Sequence, residues 1–259
     1  MNEITIGDRG TMGNTQTSEG IRINKYLSEA GACSRREADR QIEAGNVTID
    51  GRMAAMGDRV FPGQKVCLNG KPLTQEEEKI LLVFHKPVGI VCTAEKKEKN
   101  NIIDYIKYPK RVYPVGRLDK DSEGLILLTN QGELVNKIMR AGNRHEKEYL
   151  VDVNQDITPE FIKNMASGVY LEELEVTTRK CRVEKVEKRR FRIVLTQGYN
   201  RQIRRMCEAF GYKVKRLKRV RIMNIKLGDL PVGVYREATP SEWEKLLELT
   251  KHSSKTTVK

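Results

Sequence analysis

The sequence predicts an α+β protein of two unequal parts, a small module led by two short helices and a larger domain of strands and helices. Three observations carry this. Helical spacing with its own start and stop signals opens the segment 21–73. A polar stretch, 74–79, with Glu76, Glu77 and Glu78 in a row, reads as a linker. Beyond it, 80–250 mixes apolar runs, period-two alternation and helical stripes.

The elements follow in order. The polar segment 1–20 lacks the apolar run of a secretory signal and is expected to be a disordered leader. Ile23, Tyr26, Leu27 and Ala30 recur at helical spacing, and Gly31 ends that helix. Ser34 with Glu37 three residues on is the pattern of a capping box, opening a second helix through Ala44 that Gly45 closes. Asn46 to Ile49 reads as a strand entering an Asp50-Gly51 hairpin turn, and Asn69-Gly70 is a second such turn. In the larger domain, Ile80 to Phe84 begins a buried strand stopped by Lys86-Pro87 and Gly89. Val112 to Val115 and Leu125 to Leu128 read as strands flanking a polar loop. His145 to Val153 alternates, which puts Lys147, Tyr149, Val151 and Val153 on one strand face. Asn200 is expected to N-cap a helix whose core stripe is Ile203, Met206, Cys207 and Phe210, with Arg201, Arg204 and Arg205 off the stripe. The short polar tail, 251–259, is expected to be disordered.

Charge narrows the function. The 259 residues carry 48 Lys and Arg against 35 Asp and Glu, a net +13. The segment 179–221 holds 17 basic and 3 acidic residues, a local +14, so the other 216 residues sum to −1. Folding gains nothing from such self-repulsion, which points to a polyanionic partner. Nucleic acid fits better than lipid, because the basic residues are interleaved with core patterns and not massed on one amphipathic helix. No run approaches the ~18 apolar residues of a membrane span, so no membrane partner is expected. Cys33, Cys67, Cys92, Cys181 and Cys207 stand singly and His85, His145 and His252 are scattered, which favours reduced thiols in a cytoplasmic protein and argues against zinc or a Cys/His nucleophile. Glycine motifs that cradle nucleotide phosphates are missing from the sequence. Neither metal nor cofactor is expected.

Two segments carry a family resemblance. Arg35 and Arg36 fall in the first turn of the second helix, where the helix dipole disfavours cations, a placement that makes sense if they meet phosphates. With Arg22, Lys25 and Arg40, the segment from I-R-I-N-K-Y-L to N-V-T-I-D-G resembles the S4 RNA-binding module, which implies shape-directed binding to structured RNA. The loop Gly116-Arg117-Leu118-Asp119-Lys120-Asp121-Ser122-Glu123-Gly124, on composition alone, is either a solvated connection or a carboxylate site. Continued by L-I-L-L-T-N, it is very similar to the catalytic signature of the small-subunit-type RNA pseudouridine synthases, enzymes that also carry an N-terminal S4 module. Tyr149 in E-K-E-Y-L-V and Arg204 in N-R-Q-I-R-R-M fall on two further motifs of that family.

The resemblance implies a catalytic domain on a mixed, largely antiparallel sheet. It implies Asp119 as the catalytic carboxylate, with Asp121 its competitor, Tyr149 lining the active site, and Arg204 paired with the aspartate. It further implies that Arg117 fills the gap left by a flipped base, while Arg201 and Arg205 join the RNA contacts. The segments H-E-K-E-Y-L-V, N-R-Q-I-R-R-M-C-E and R-I-M-N are similar to a branch acting on large-subunit ribosomal RNA. A cytoplasmic, monomeric enzyme converting uridine to pseudouridine in 23S rRNA is therefore expected, with a tRNA anticodon-stem uridine as the alternative target. The rival classes are a non-catalytic S4 protein that binds ribosomal RNA and a nucleoside hydrolase, which would need metal-binding aspartate clusters.

Overall fold

The structure, a computed structural model, describes residues 20–74, 78–95 and 97–254. The leader expected before Gly20 and the centre of the expected linker therefore lie outside the described residues. The chain divides into two compact units at residue 76.

The smaller unit packs α1 (Ile23–Glu29) and α2 (Arg35–Glu43) over a four-stranded sheet in the order Arg52–Met53, Val47–Ile49, Val66–Leu68, Lys71–Pro72. Ile23 and Leu27 of α1 meet Ala38 and Ile42 of α2 and Val47, Ile49 and Val66 of the sheet in one core. The turns form as the dipeptides demand. Asp50-Gly51 and Asn69-Gly70 all take positive φ, at 50, 83, 50 and 74°, the geometry of a two-residue hairpin. The capping box is only half made. Ser34 Oγ accepts from Glu37 N–H at 3.1 Å, but the Glu37 carboxylate turns forward to Gln41 Nε2 at 2.8 Å and to Arg40.

The larger unit is a mixed sheet with helices on both faces. Its main strands are β1 (Leu81–Lys86), β2 (Glu123–Thr129), β3 (Lys147–Val153), β4 (Arg182–Glu187), β5 (Arg190–Leu195), β6 (Val214–Ile222) and β7 (Tyr235–Glu237), ordered β4-β5-β3-β6-β2-β1-β7. Every pairing along this path is antiparallel except β6 with β2. Strands β1 and β2 are buried on both faces, which is why they read as unbroken apolar runs. Leu82, Phe84, Ile126 and Leu128 enter one core with α3 (Ile102–Ile106), α5 (Pro159–Ala166) and α6 (Gln202–Glu208). Leu81, Val83, Leu125 and Leu127 enter a second core with α4 (Gly132–Met139) and α7 (Pro240–Thr250).

Three expectations need correction. Glu123 and Gly124 belong to β2 and not to the loop before it, because the backbone of both pairs with Lys218 and Arg219 of β6. Asn200 is not the N-cap of α6; that position is Arg201 in the left-handed region at φ 49°, and the Gln202 side chain accepts from Tyr199 N–H at 3.0 Å instead. The tail is held at its start, where Ser254 N–H donates to Asn143 Oδ1 at 3.0 Å and Ser253 Oγ lies 2.7 Å from His145 Nε2. Residues 255–259 lie outside the described residues.

Candidate active site

The loop from Arg117 to Ser122 connects the short strand Tyr113–Pro114 to β2, and its backbone is gripped from all sides. Arg219 Nη1 of β6 donates to Arg117 O at 3.3 Å, and Cys92 Sγ to Leu118 O at 3.3 Å. Ser122 N–H reaches Asp119 O at 3.0 Å and Gly89 N–H reaches Lys120 O at 2.7 Å. Arg204 Nη2 of α6 donates to Asp121 O at 3.0 Å, and Lys86 Nζ at the end of β1 donates to Ser122 O at 2.8 Å. All six consecutive carbonyls are thus hydrogen-bonded, which fixes the loop before any substrate arrives.

Beside this loop lies a cleft of about 300 Å³. Asp119 and Arg117 reach it from the loop, Tyr149 from β3, and Arg201 and Arg204 from the start of α6. The three catalytic candidates, drawn from three separate stretches of chain, therefore line one cleft. Asp119 is half-buried and Tyr149 is 9% exposed. Arg117 is exposed, and its side chain is not used to hold the loop.

Arg204 does not pair with Asp119. Although it lies off the apolar stripe of α6 it is only 7% exposed, and its Nη2 meets Asp121 Oδ2 at 3.2 Å and Ser122 Oγ at 3.2 Å. Arg201 grips the same Asp121 carboxylate with both terminal nitrogens at 3.1 Å. Partial burial pushes the Asp121 carboxyl up, but the Arg201 hydrogen bonds and the Arg204 charge outweigh it and hold the group below the ordinary aspartate value. Asp121 is therefore the structural member of the pair, tying α6 to the loop. Asp119 is the carboxylate left facing the cleft; the charges of Lys86 and Arg201 are both coupled to it.

Three further residues of the region were not candidates. Lys147 lines the cleft at 4% exposure, with its Nζ on His145 O at 3.2 Å; burial, then repulsion from Arg219, brings its amine down to about 8. The alternation of β3, which puts Lys147 and Tyr149 on one face, is the signal that could have found it. Lys86 is fully buried, and burial lowers its pKa against the pull of the Asp119 and Asp121 carboxylates. A lysine ending an apolar strand run is its only mark. Arg219 is 1% exposed and lines the cleft opposite Tyr149 in the strand register. Among the described residues, no group of three or more His, Cys, Asp or Glu is arranged to hold a metal ion.

The other expected RNA contacts are distributed unevenly. In the smaller unit Arg22, Arg35 and Arg36 are exposed, whereas Lys25 pairs with Glu29 at 3.6 Å and Arg40 pairs with Glu37. Arg205 is tied to Glu173 and to Asn200 O. Within 179–221, Arg190 pairs with Asp152, Arg192 with Glu148, Arg216 with Glu123, Arg221 with Glu146 and Glu148, and Lys188 and Arg189 with Asp156. Much of the local excess is thus met by carboxylates from other parts of the chain.

The comparisons with known proteins agree on one family for this chain. The model described as RNA pseudouridylate synthase matches residues 80–209, and that of the S4 domain matches 21–64. This chain belongs to the RNA pseudouridylate synthase family, in its S4-bearing, small-subunit type, and is an RNA pseudouridine synthase. It is 55% identical over 236 residues to the dual-specificity RNA pseudouridine synthase RluF of Escherichia coli (strain K12), covering 90% of this chain and 81% of the relative. It is 33% identical over 238 residues to the ribosomal large subunit pseudouridine synthase B of Bacillus subtilis (strain 168), covering 89% of this chain and 97% of the relative. A solved structure described as a pseudouridylate synthase superposes with a TM-score of 0.65 at 28% identity, over 87% of this chain and 99% of that one.

Proposed function

We propose that this enzyme isomerises a uridine of 23S rRNA, and in a second role a tRNA anticodon-stem uridine, with Asp119 as the catalytic carboxylate. The observation that carries the reading is the convergence of Asp119, Tyr149 and Arg204 on one cleft from three elements. The large-subunit name of one relative supports the ribosomal target, and the dual-specificity name of another supports a second RNA target.

The reaction breaks the N1–C1′ bond, turns the base and joins C5 to C1′. A carboxylate can attack C1′ or assist an elimination across C1′ and C2′, and only one is required because no water enters. Asp119 faces the cleft on a fixed loop, free of the ion pairs that occupy Asp121. Tyr149 offers a ring face to the uracil. Arg204 positions the loop through Asp121 and Ser122 and so acts on Asp119 at one remove. A uridine within a stem must first be flipped, at about a few kcal/mol, and exposed Arg117 is placed to fill the gap in the stack. Holding the detached base makes rejoining effectively unimolecular, worth several kcal/mol.

The test is to incubate the protein with total RNA from a bacterial strain lacking the enzyme and to map pseudouridines at nucleotide resolution. The wild-type protein is expected to create new sites in 23S rRNA and tRNA, and Asp119→Asn to create none while unfolding at the wild-type temperature. No new site, or an active Asp119→Asn, would refute the reading.

A further inference from the structure

Buried hydrogen-bond donors in folded proteins are almost always satisfied, and those that are not call for an explanation. The cleft wall contains two such donors besides the candidate residues. Gln197 is 5% exposed and its Nε2 has no partner; Arg219 is 1% exposed and its Nη2 has none. The orientation of the Gln197 amide is fixed, since its Oε1 accepts from Arg179 N–H at 3.3 Å and the NH₂ must point the other way. Arg219 is fixed as well, with Nε on Leu125 O at 2.7 Å and Nη1 on Arg117 O at 3.3 Å. Its charge has no carboxylate partner among the described residues. Both orphans are donors, so the missing ligand must supply acceptors and tolerate, or carry, negative charge.

Resting on the function proposed above, we propose that Gln197 Nε2 and Arg219 Nη2 take the carbonyl oxygens of the target uracil and hold them most tightly once the base is detached. When the N1–C1′ bond breaks, its electron pair stays with the base and spreads onto O2 and O4, while C1′ bonds to the Asp119 carboxylate or C2′ gives that carboxylate a proton. The turned base then returns an electron pair from C5 to C1′ as the bond from C1′ to the Asp119 carboxylate breaks, or as C2′ takes its proton back from that carboxylate. The C5 proton is lost while N1 gains one, which leaves Asp119 as it began. Donors fixed in advance on those oxygens stabilise the separated state more than the bound uridine, in the manner of an oxyanion hole. Cytosine places an amino group where uracil has O4, and would set donor against donor.

Gln197→Met tests the inference, because it removes the orphaned donor and keeps the side-chain length; the bond that Oε1 accepts from Arg179 N–H is lost with it, which offsets the relief of the unsatisfied buried amide. The variant is expected to unfold within a few degrees of wild type, and it is assayed on a synthetic RNA stem containing a uridine mapped as above. Its RNA KM should stay within about threefold, and its single-turnover rate should fall by about 100-fold. Replacing the target uridine by 2-thiouridine or 4-thiouridine weakens one acceptor at a time. One of the two should slow the wild-type enzyme and leave Gln197→Met no slower than with uridine. A Gln197→Met rate within about threefold of wild type, or thio penalties equal in both enzymes, overturns the inference. An active Asp119→Asn would instead strike the underlying reading.

Discussion

Lys147 stands in the cleft wall with a charge its surroundings disfavour, and this has a measurable signature. Folded, its amine titrates at about 8; unfolded, it returns to the ordinary value of 10.5. Between those two values the unfolded chain holds a proton that the folded protein has released, so the contribution of this residue to stability rises with pH across that window. The whole span amounts to about 3 kcal/mol. Below pH 8 the residue is charged in both states and its burial is a constant cost. Lys147→Met should therefore be more stable than wild type to urea near pH 7, and its advantage should shrink steadily towards pH 10. A difference independent of pH would refute the assignment. At this scale the sequence was legible in bringing Asp119 and Tyr149, from separate motifs, to one cleft. It misled on the partner of Arg204, because two aspartates two residues apart in a loop look equivalent until the backbone path decides which one faces the helix.

Among the elements, the β3–β6 pair shows why alternation alone misplaces side chains. Glu148 lies opposite Arg221 and Tyr149 opposite Arg219, so one residue of β6 is extra at this point. That bulge inverts the phase of the strand. Arg221 leaves on the outer face to meet Glu146 and Glu148, while Arg219, of the same parity, turns into the cleft beside Tyr149. A single inserted residue leaves no periodic trace, so Arg219 was invisible, whereas the long apolar runs of β1 and β2 were plain. The parallel contact next to it imposes a second constraint. Gly124 has φ +111°, and a Cβ there would fall 2.3 Å from the backbone oxygen of Arg219. Gly124→Ala should destabilise the protein by roughly 3 kcal/mol or more, read as a lowered urea midpoint. Gly142→Ala, where a Cβ would meet nothing within 4 Å, should leave the midpoint nearly unchanged.

For the whole molecule, the +13 net charge stands, but a linear sum cannot see pairing across strands. If all 17 basic residues of 179–221 met phosphates, the slope of log affinity against log salt would be about −12 to −15. Arg190, Arg192, Arg201, Arg204, Arg205, Arg216 and Arg221 are instead paired with carboxylates of the same chain. Filter binding to a structured ribosomal RNA fragment should give a slope of about −4 to −8, and a slope near −12 would show that these ion pairs open on RNA. Composition thus identified the class of partner, and only the fold shows which cations are left to meet it. No helix among the described residues is long and apolar enough to cross a membrane.

The six bonded carbonyls of the Asp119 loop divide labour within it. Because the frame holds the loop by its main chain, the side chains of Arg117, Asp119 and Lys120 have no mechanical duty. Shape and reactivity are therefore encoded apart within the loop, and of the residues that grip it Arg219 alone is also given a part in the chemistry. The first is written in Lys86, Cys92, Arg204 and Arg219, scattered over more than a hundred positions, and the second in a few neighbouring side chains. Such a separation makes the loop an adaptable part. Its chemistry can drift by point substitution while its geometry is inherited unchanged.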